Sequence, residues 1–236
     1  MKDVGVYNNI INSSIATGIA TLPIYTIKTN YQNTIPVNVD IIKTIQTMYI
    51  NNGIKIFNSS SLPVLFSPIV SPSSKYTIYQ YLDTNKLITN NKIANLFVTG
   101  TLFSLINHSI HVSKINLAKR KSLAWEISKN NLFIIVQGYS KLFIKSSVSC
   151  SMFVPLYDTL RIHNENKIIN SVVSASIATL IIHPIDYLKT RHIAGLTLYN
   201  GFNPINYYRG LTLNMTRIVP HFVITMYCIE KLSNSN

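Results

Sequence analysis

Hydrophobic positions along this chain of 236 residues gather into long stretches without formal charge, joined by shorter polar links. Val4 to Ile27 carries no charged residue, nor does Ile56 to Ser74; His aside, the same holds for Ile93 to Ser113 and Ile168 to Ile185. Each stretch approaches the ~20 residues that a helix needs to cross a bilayer. Asn, Ser and Thr stud these stretches, which weakens their hydropathy but suits helix–helix contact. The pattern predicts six apolar helices, at about Tyr7–Tyr31, Ser60–Leu82, Ile93–Lys119, Tyr139–Arg161, Ile168–His192 and Leu211–Lys231. Between the first two, Val39–Ile50 is amphipathic, with Ile41, Ile42, Ile45, Met48 and Tyr49 as its apolar set. Ser122–Val136 is a candidate for a second such link, whereas Ala194–Tyr208, with Gly195, Gly201 and Pro204, leaves little room for a third. Small residues at packing distance, Ser14 with Gly18 and Ser174 with Ala178, predict close helix crossings.

Polar residues inside the apolar stretches carry more information than the stretches themselves. Asp186 lies at the end of the fifth, within Pro184-Ile-Asp-Tyr-Leu-Lys189. A carboxylate there is costly unless paired, which makes it a functional-site candidate. Pro184 is expected to kink the helix, and Lys189 lies three residues on, along the same face. The cassette has a counterpart at Pro23-Ile-Tyr-Thr-Ile-Lys28, where Pro23 is a second expected kink, and a degenerate copy at Ser109-Ile-His-Val-Ser-Lys114. A second periodicity joins Gly138 to Gly210, 72 residues apart. Seven residues after each glycine stands a base, Lys145 or Arg217, and twenty after each an acid, Asp158 or Glu230. The order is a cassette-ending helix, a polar link and a second apolar helix, three times over.

Composition agrees with membrane helices. Only 12% of residues are charged and 47% are hydrophobic, where soluble domains average about 25% charged; mean hydropathy is +0.22. The net charge of +13 allows nucleic acid, anionic lipid or an anionic substrate as partner. The basic residues are scattered among apolar helices without a basic tail or recognition motif, so no nucleic-acid partner is expected. Cys150 and Cys228 read as small hydrophobes, with no disulfide framework or metal spacing. His108, His111, His183 and His192 lack a paired nucleophile or a metal set and read as polar helix-end residues. Neither an enzyme nor a cofactor or metal site is therefore expected. The N-terminus resembles neither a secretory signal nor an Arg-rich transit peptide, so targeting is expected to be internal.

These residues resemble the mitochondrial carrier family, built from three repeats of two membrane helices. Its cassette, Pro-x-Asp/Glu-x-x-Lys/Arg-x-Arg, is met in full by Pro184, Asp186, Lys189 and Arg191. Its second signature, an aromatic then Lys/Arg-Gly, is met by Tyr208-Arg209-Gly210 and in part by Gln137-Gly138. A third, aromatic-acid-x-x-base, is met by Tyr157-Asp158-Thr-Leu-Arg161. The resemblance covers almost the whole chain and implies an all-α membrane protein. Six transmembrane helices would form three pseudo-symmetric repeats, 7–86, 90–164 and 167–233, around a central cavity. Val39–Ile50 would be the repeat's short helix along the membrane face. The codons of the abundant Asn, Ile, Lys and Tyr suit an A+T-rich genome, and in composition and compactness the chain resembles giant-virus members of the family.

The resemblance also implies roles. In the family, acid and base residues of the cassettes pair across helices and close the matrix side. Here the bases are Lys28, Lys114 and Lys189, and the acid positions hold Tyr25, His111 and Asp186. Asp186 with Lys28 is the one complete pair expected; Tyr25 is expected to offer its hydroxyl to Lys114, and neutral His111 to accept from Lys189. On the opposite side, Asp158 with Arg161 and the lone acid Glu230 would form the second gate. The register of the second helix leaves Tyr79 or the pair Asp83 and Lys86 at that level.

Lys145 and Arg217 lie about a third of the way into the bilayer, ~10 Å beyond their glycines at 1.5 Å per residue. The acids of their own helices are ~20 Å further on, so both bases are expected to face a wet cavity rather than a carboxylate. Lys145, Ser146, Arg217 and Phe66 fall on the family's substrate-contact level. Two cations can grip a polyphosphate, with Phe66 stacking on a nucleobase. The implied function is exchange of anionic metabolites across the mitochondrial inner membrane, with (deoxy)nucleotides such as dATP, dTTP and ADP favoured. Carriage of small carboxylates or phosphate, and a degenerate carrier that no longer transports, are the alternatives. The expected partners are the anionic substrate and the bilayer, with its anionic lipids, around a monomer.

Overall fold

The structure is a computed structural model that describes residues 12, 15–34, 39–58, 78–79, 81–82, 91–118, 138–199 and 201–233. Six helices organise them: α1 (Leu22–Asn33), α2 (Ile41–Asn52), α3 (Lys92–Ala118), α4 (Tyr139–His163), α5 (Lys167–Ile193) and α6 (Leu211–Ser233). Short 3-10 turns follow α2 (Ile54–Asn58) and precede α6 (Pro204–Tyr208). Strands are absent among the described residues. The boundaries of α3 to α6 fall within one or two residues of those expected. The expected second span, with Phe66, Asp83 and Lys86, lies largely outside the described residues, as do Ser14 and the link Ser122–Val136.

Local chemistry sets these ends. The Asn166 side chain accepts from the Ile168 and Ile169 amides and starts α5. Asp40 accepts from Ile41 and starts α2, which ends at Gly53. Gly138 and Gly210, the two glycines related by the sequence periodicity, have φ of 82° and 81° at the starts of α4 and α6. That left-handed conformation favours glycine, so a shared sequence offset here reflects a shared backbone shape. Pro23 occupies the first turn of α1, where its missing donor is harmless. Thr21 forms a turn ahead of it, yet bonds from Thr21 to Thr17 and from Tyr25 to Thr21 continue the helical path. Pro184 lies inside α5, and Pro155 and Pro220, not expected as kinks, lie inside α4 and α6.

Packing runs from α3 to α4, α4 to α5, α5 to α6 and α6 to α1, while α1 also touches α3 and α5, and α3 touches α5. The helices are inverted relative to a water-soluble core. In α5 the inward face is Asn170, Ser171, Ser174, Ala175, Ala178, Thr179, His183 and Asp186, while Ile169, Val173, Ile177, Leu180 and Ile181 are exposed. In α3, Asn95, Thr99, Ser104 and Asn107 are buried, and Phe97, Leu102 and Leu105 are exposed. Hydroxyls satisfy themselves on their own helices: Thr99 donates to the Asn95 carbonyl, Ser147 to Phe143, Ser171 to Lys167 and Thr190 to Asp186. Most of this hydroxyl-rich face thereby packs with its donors satisfied, Thr179 Oγ1 being an exception among the described residues. Among the described residues, α5 is long and apolar enough to cross a bilayer, and α3 is so as two segments bent by 60°. α4 and α6 are less apolar, although at 1.5 Å per residue their 25 and 23 residues extend about 37 and 34 Å. Their Ser, Thr, Lys and Asn content dilutes the apolar run, as the studded pattern anticipates.

α3 and α4 cross closely at Gly100. A Cβ added to Gly100 would stand 2.5 Å from the Ser146 carbonyl oxygen and 2.7 Å from the Ser147 Cα. Beside it, the Thr101 and Ser147 hydroxyls are 2.9 Å apart. The small-residue prediction is met at Ser174 and Ala178, both fully buried, but Gly100 was not anticipated. Gly100→Val should force these backbones apart, with an overpacking cost of about 1–3 kcal/mol. Thermal unfolding in detergent should show a lowered midpoint; an unchanged midpoint would show that the crossing tolerates a side chain.

Candidate functional site

The cassette-bearing ends of α1 and α5 meet α4 and α6 at one carboxylate. Asp186 is 2% exposed. Its Oδ2 accepts from Lys28 of α1, and its Oδ1 from Lys145 of α4 and, at 3.0 Å, from Lys189 one turn on. Lys28 also donates to Asn214 Oδ1 of α6 at 2.9 Å. The expected pair of Asp186 with Lys28 is therefore present, within a larger cluster. Burying a charge without a partner costs about 3–5 kcal/mol, and here a single acid answers three ammonium groups.

Three expectations about this cluster are corrected. Lys145 does not face a carboxylate-free cavity. The acid of its own helix is remote, but Asp186, 41 residues away in sequence, supplies a carboxylate from α5. Tyr25 does not bond Lys114. Its hydroxyl lies beside Thr29 and its ring faces the Arg217 guanidinium, 5.1 Å from the ring centre. His111 does not accept from Lys189, which turns back to Asp186 because an i,i+3 partner is already within reach. The Nδ1 of His111 is buried without a hydrogen bond among the described residues.

His183 is not a solvated helix-end residue. It is fully buried, with Nε2 3.1 Å from the Arg209 carbonyl and Nδ1 3.3 Å from Asn214 Nδ2. These contacts select the neutral tautomer in which Nε2–H donates to the carbonyl and Nδ1 accepts from Asn214. Asn214 then presents its oxygen to Lys28, so one polar chain runs from the Arg209 carbonyl to the Asp186 cluster. Sequence reasoning missed Asn214. Its one signal was a carboxamide four residues after the repeat glycine, within a helix expected to cross the bilayer.

Two arginines clasp the end of α1 below the cluster. Arg191 donates to the carbonyls of Gln32 and Thr197, at 3.2 and 2.9 Å. Arg209 donates to those of Thr34 and Val39, at 3.3 and 3.1 Å, with its guanidinium 4.2 Å from the Tyr31 ring centre. Terminal helix carbonyls lack intrahelical partners, so cations are well placed there. Ser146 is buried against α3, its carbonyl beside Gly100. At the opposite end, Asp158 pairs with the exposed Lys92 of α3 rather than with Arg161, which is itself exposed. Such an exposed pair contributes at most about 1 kcal/mol. Phe66 and the Glu230 side chain lie outside the described residues.

Arg217 lies within electrostatic reach of Lys28, Lys114 and Lys145, and Lys114 within that of Lys189. Four bases, Lys28, Lys145, Lys189 and Arg217, thus gather with the one acid Asp186 among the described residues, a formal excess of three positive charges. Over 230 residues, 96% of each chain, the sequence is 44% identical to the mitochondrial carrier-like protein L276 of Acanthamoeba polyphaga mimivirus. The chain belongs to the mitochondrial carrier family. The giant-virus resemblance read from composition is met by that relative. No family model matches the chain. The departures at Tyr25 and His111 lie in the motif that is otherwise most diagnostic of a carrier.

Asn214→Leu removes one partner of Lys28 and strands the His183 Nδ1. A loss of about 1–3 kcal/mol is expected, read as a lower unfolding midpoint in detergent. An unchanged midpoint would show that this polar chain contributes nothing to closure.

Proposed function

We propose that the protein is a membrane carrier that exchanges polyanionic metabolites by alternating access, with nucleotides and deoxynucleotides such as dATP, dTTP and ADP as its cargo. Family membership supports transport, and the inverted helices, polar inside and apolar outside, suit a bilayer-embedded carrier. The observation that carries the choice of cargo is the excess of positive charge that Lys28, Lys145, Lys189 and Arg217 leave over Asp186 among the described residues. An anion with three or four negative charges offsets it where a monoanion does not. Lys145 and Arg217 are the proposed phosphate contacts, with Ser146 beside them and Phe66 as the base-stacking residue. Lys28, Lys114, Lys189, Tyr25, His111 and Asp186 form the matrix-side gate, and Asp158, Arg161 and Glu230 the opposite one. Six transmembrane helices in the repeats 7–86, 90–164 and 167–233 and a monomer in the mitochondrial inner membrane complete the reading.

Proteoliposomes loaded in turn with dATP, a dicarboxylate or phosphate test the cargo. Counter-exchange of labelled dATP should exceed that of the small anions. Preference for dicarboxylate or phosphate would move the cargo to that class, and no exchange with any anion would mark a carrier fold without transport. Lys145→Ala and Arg217→Ala should each lower dATP exchange about tenfold or more, since each removes a charged contact of 1.5–3 kcal/mol. Undiminished exchange in both would remove the binding site from these residues.

A further inference from the structure

Lys145 stands at two places at once: on the proposed substrate level and on the carboxylate of the gate. Three observations distinguish it from the other lysines on Asp186. It is the partner contributed by α4, whereas Lys189 belongs to the same helix as the acid. Its side chain is 18% exposed, against 5% for Lys28, 5% for Lys189 and 3% for Asp186. And Asp186 keeps Lys28 and Lys189 if Lys145 leaves, so departure strands no buried charge.

We propose that Asp186 is an internal competitor for the substrate, holding Lys145 until an incoming polyanion takes it. The Lys145–Asp186 contact latches α4 to α5. A phosphoryl group that draws Lys145 away binds and unlatches in one event, so engagement of cargo and release of the helices are coupled through a single ammonium group. A dense anionic group is needed to outcompete a carboxylate already in place. The latch therefore discriminates against monoanions, beyond what the net charge of the cavity does. A ligand shifts a conformational equilibrium only by its differential affinity for the two states, and the freed Lys145 is the source of that difference here. The inference rests on the proposed transport of polyanions and adds to it the residue that couples binding to opening.

A double-mutant cycle tests it, with dATP affinity measured by titration of the purified protein in detergent. Asp186→Asn frees Lys145 and should tighten dATP binding about tenfold, within the usual range of coupling. Removing a negative charge from a cationic cavity also helps any anion, and that field effect persists without Lys145. In the Lys145→Gln background the same Asp186→Asn change should therefore gain threefold or less. Equal gains in the two backgrounds overturn the competition and leave polyanion binding standing. No dATP binding by the wild-type protein overturns both. Should Asp186→Asn fail to fold, Asp186→Glu keeps the charge and alters only the reach of the acid. It should then shift dATP affinity where Lys145 is present and leave it unmoved in Lys145→Gln; no shift in either background overturns the competition.

Discussion

One carboxylate shared by lysines from three helices sets the geometry of this protein. Asp186 takes Lys28 from α1, Lys145 from α4 and Lys189 from its own helix, all in a region nearly closed to solvent. A buried ion is tolerated only when its partners are close and its remaining valences are filled. That requirement places the ends of α1 and α5 and the first third of α4 within bonding distance of one point. Asn214 and His183 extend the requirement to α6, because the second bond of Lys28 depends on an oxygen that His183 helps to orient.

Such a cluster persists because the helices carry their polar residues inward. Along much of α3 and α5 large apolar side chains such as Phe97, Leu105, Ile169, Ile177 and Ile181 face outward instead. Inside, hydroxyls bond back to their own helix carbonyls and leave space for the longer Lys, Asn and His groups. Small residues then let backbones approach: Gly100 lies against Ser146 and Ser147, and Ser174 and Ala178 are fully buried. The α3–α4 crossing at Gly100 immediately adjoins Lys145, so the packing that excludes a Cβ also holds the base level with Asp186.

Loss of two cassette acids has been absorbed rather than left as a void. Tyr25 supports the Arg217 guanidinium with its ring, Lys189 returns to Asp186, and Lys145 is recruited from an even helix to the same acid. The result is a carrier of the family with a single acid at its cassette end among the described residues. In a full set of three pairs such a positive excess would be neutralised internally.

The extents of α3 to α6 and the offset shared by Gly138 and Gly210 were legible in the sequence because they depend on neighbours a few residues apart. The 3.6-residue period and glycine at positions 138 and 210 each act locally, and the structure follows them within a residue or two. The cassette likewise identified Asp186 and Lys28 through the family pattern. Beyond that pair, what escaped were contacts that depend on how one helix is rotated against another: Lys145 on Asp186, Lys92 on Asp158, Asn214 on His183 and Gly100 on Ser146. A sequence states which residues share a helix face. Only packing decides which face of the next helix stands opposite, because partners 31 to 66 residues apart are brought together by the crossing of whole helices and by the need to neutralise buried charge.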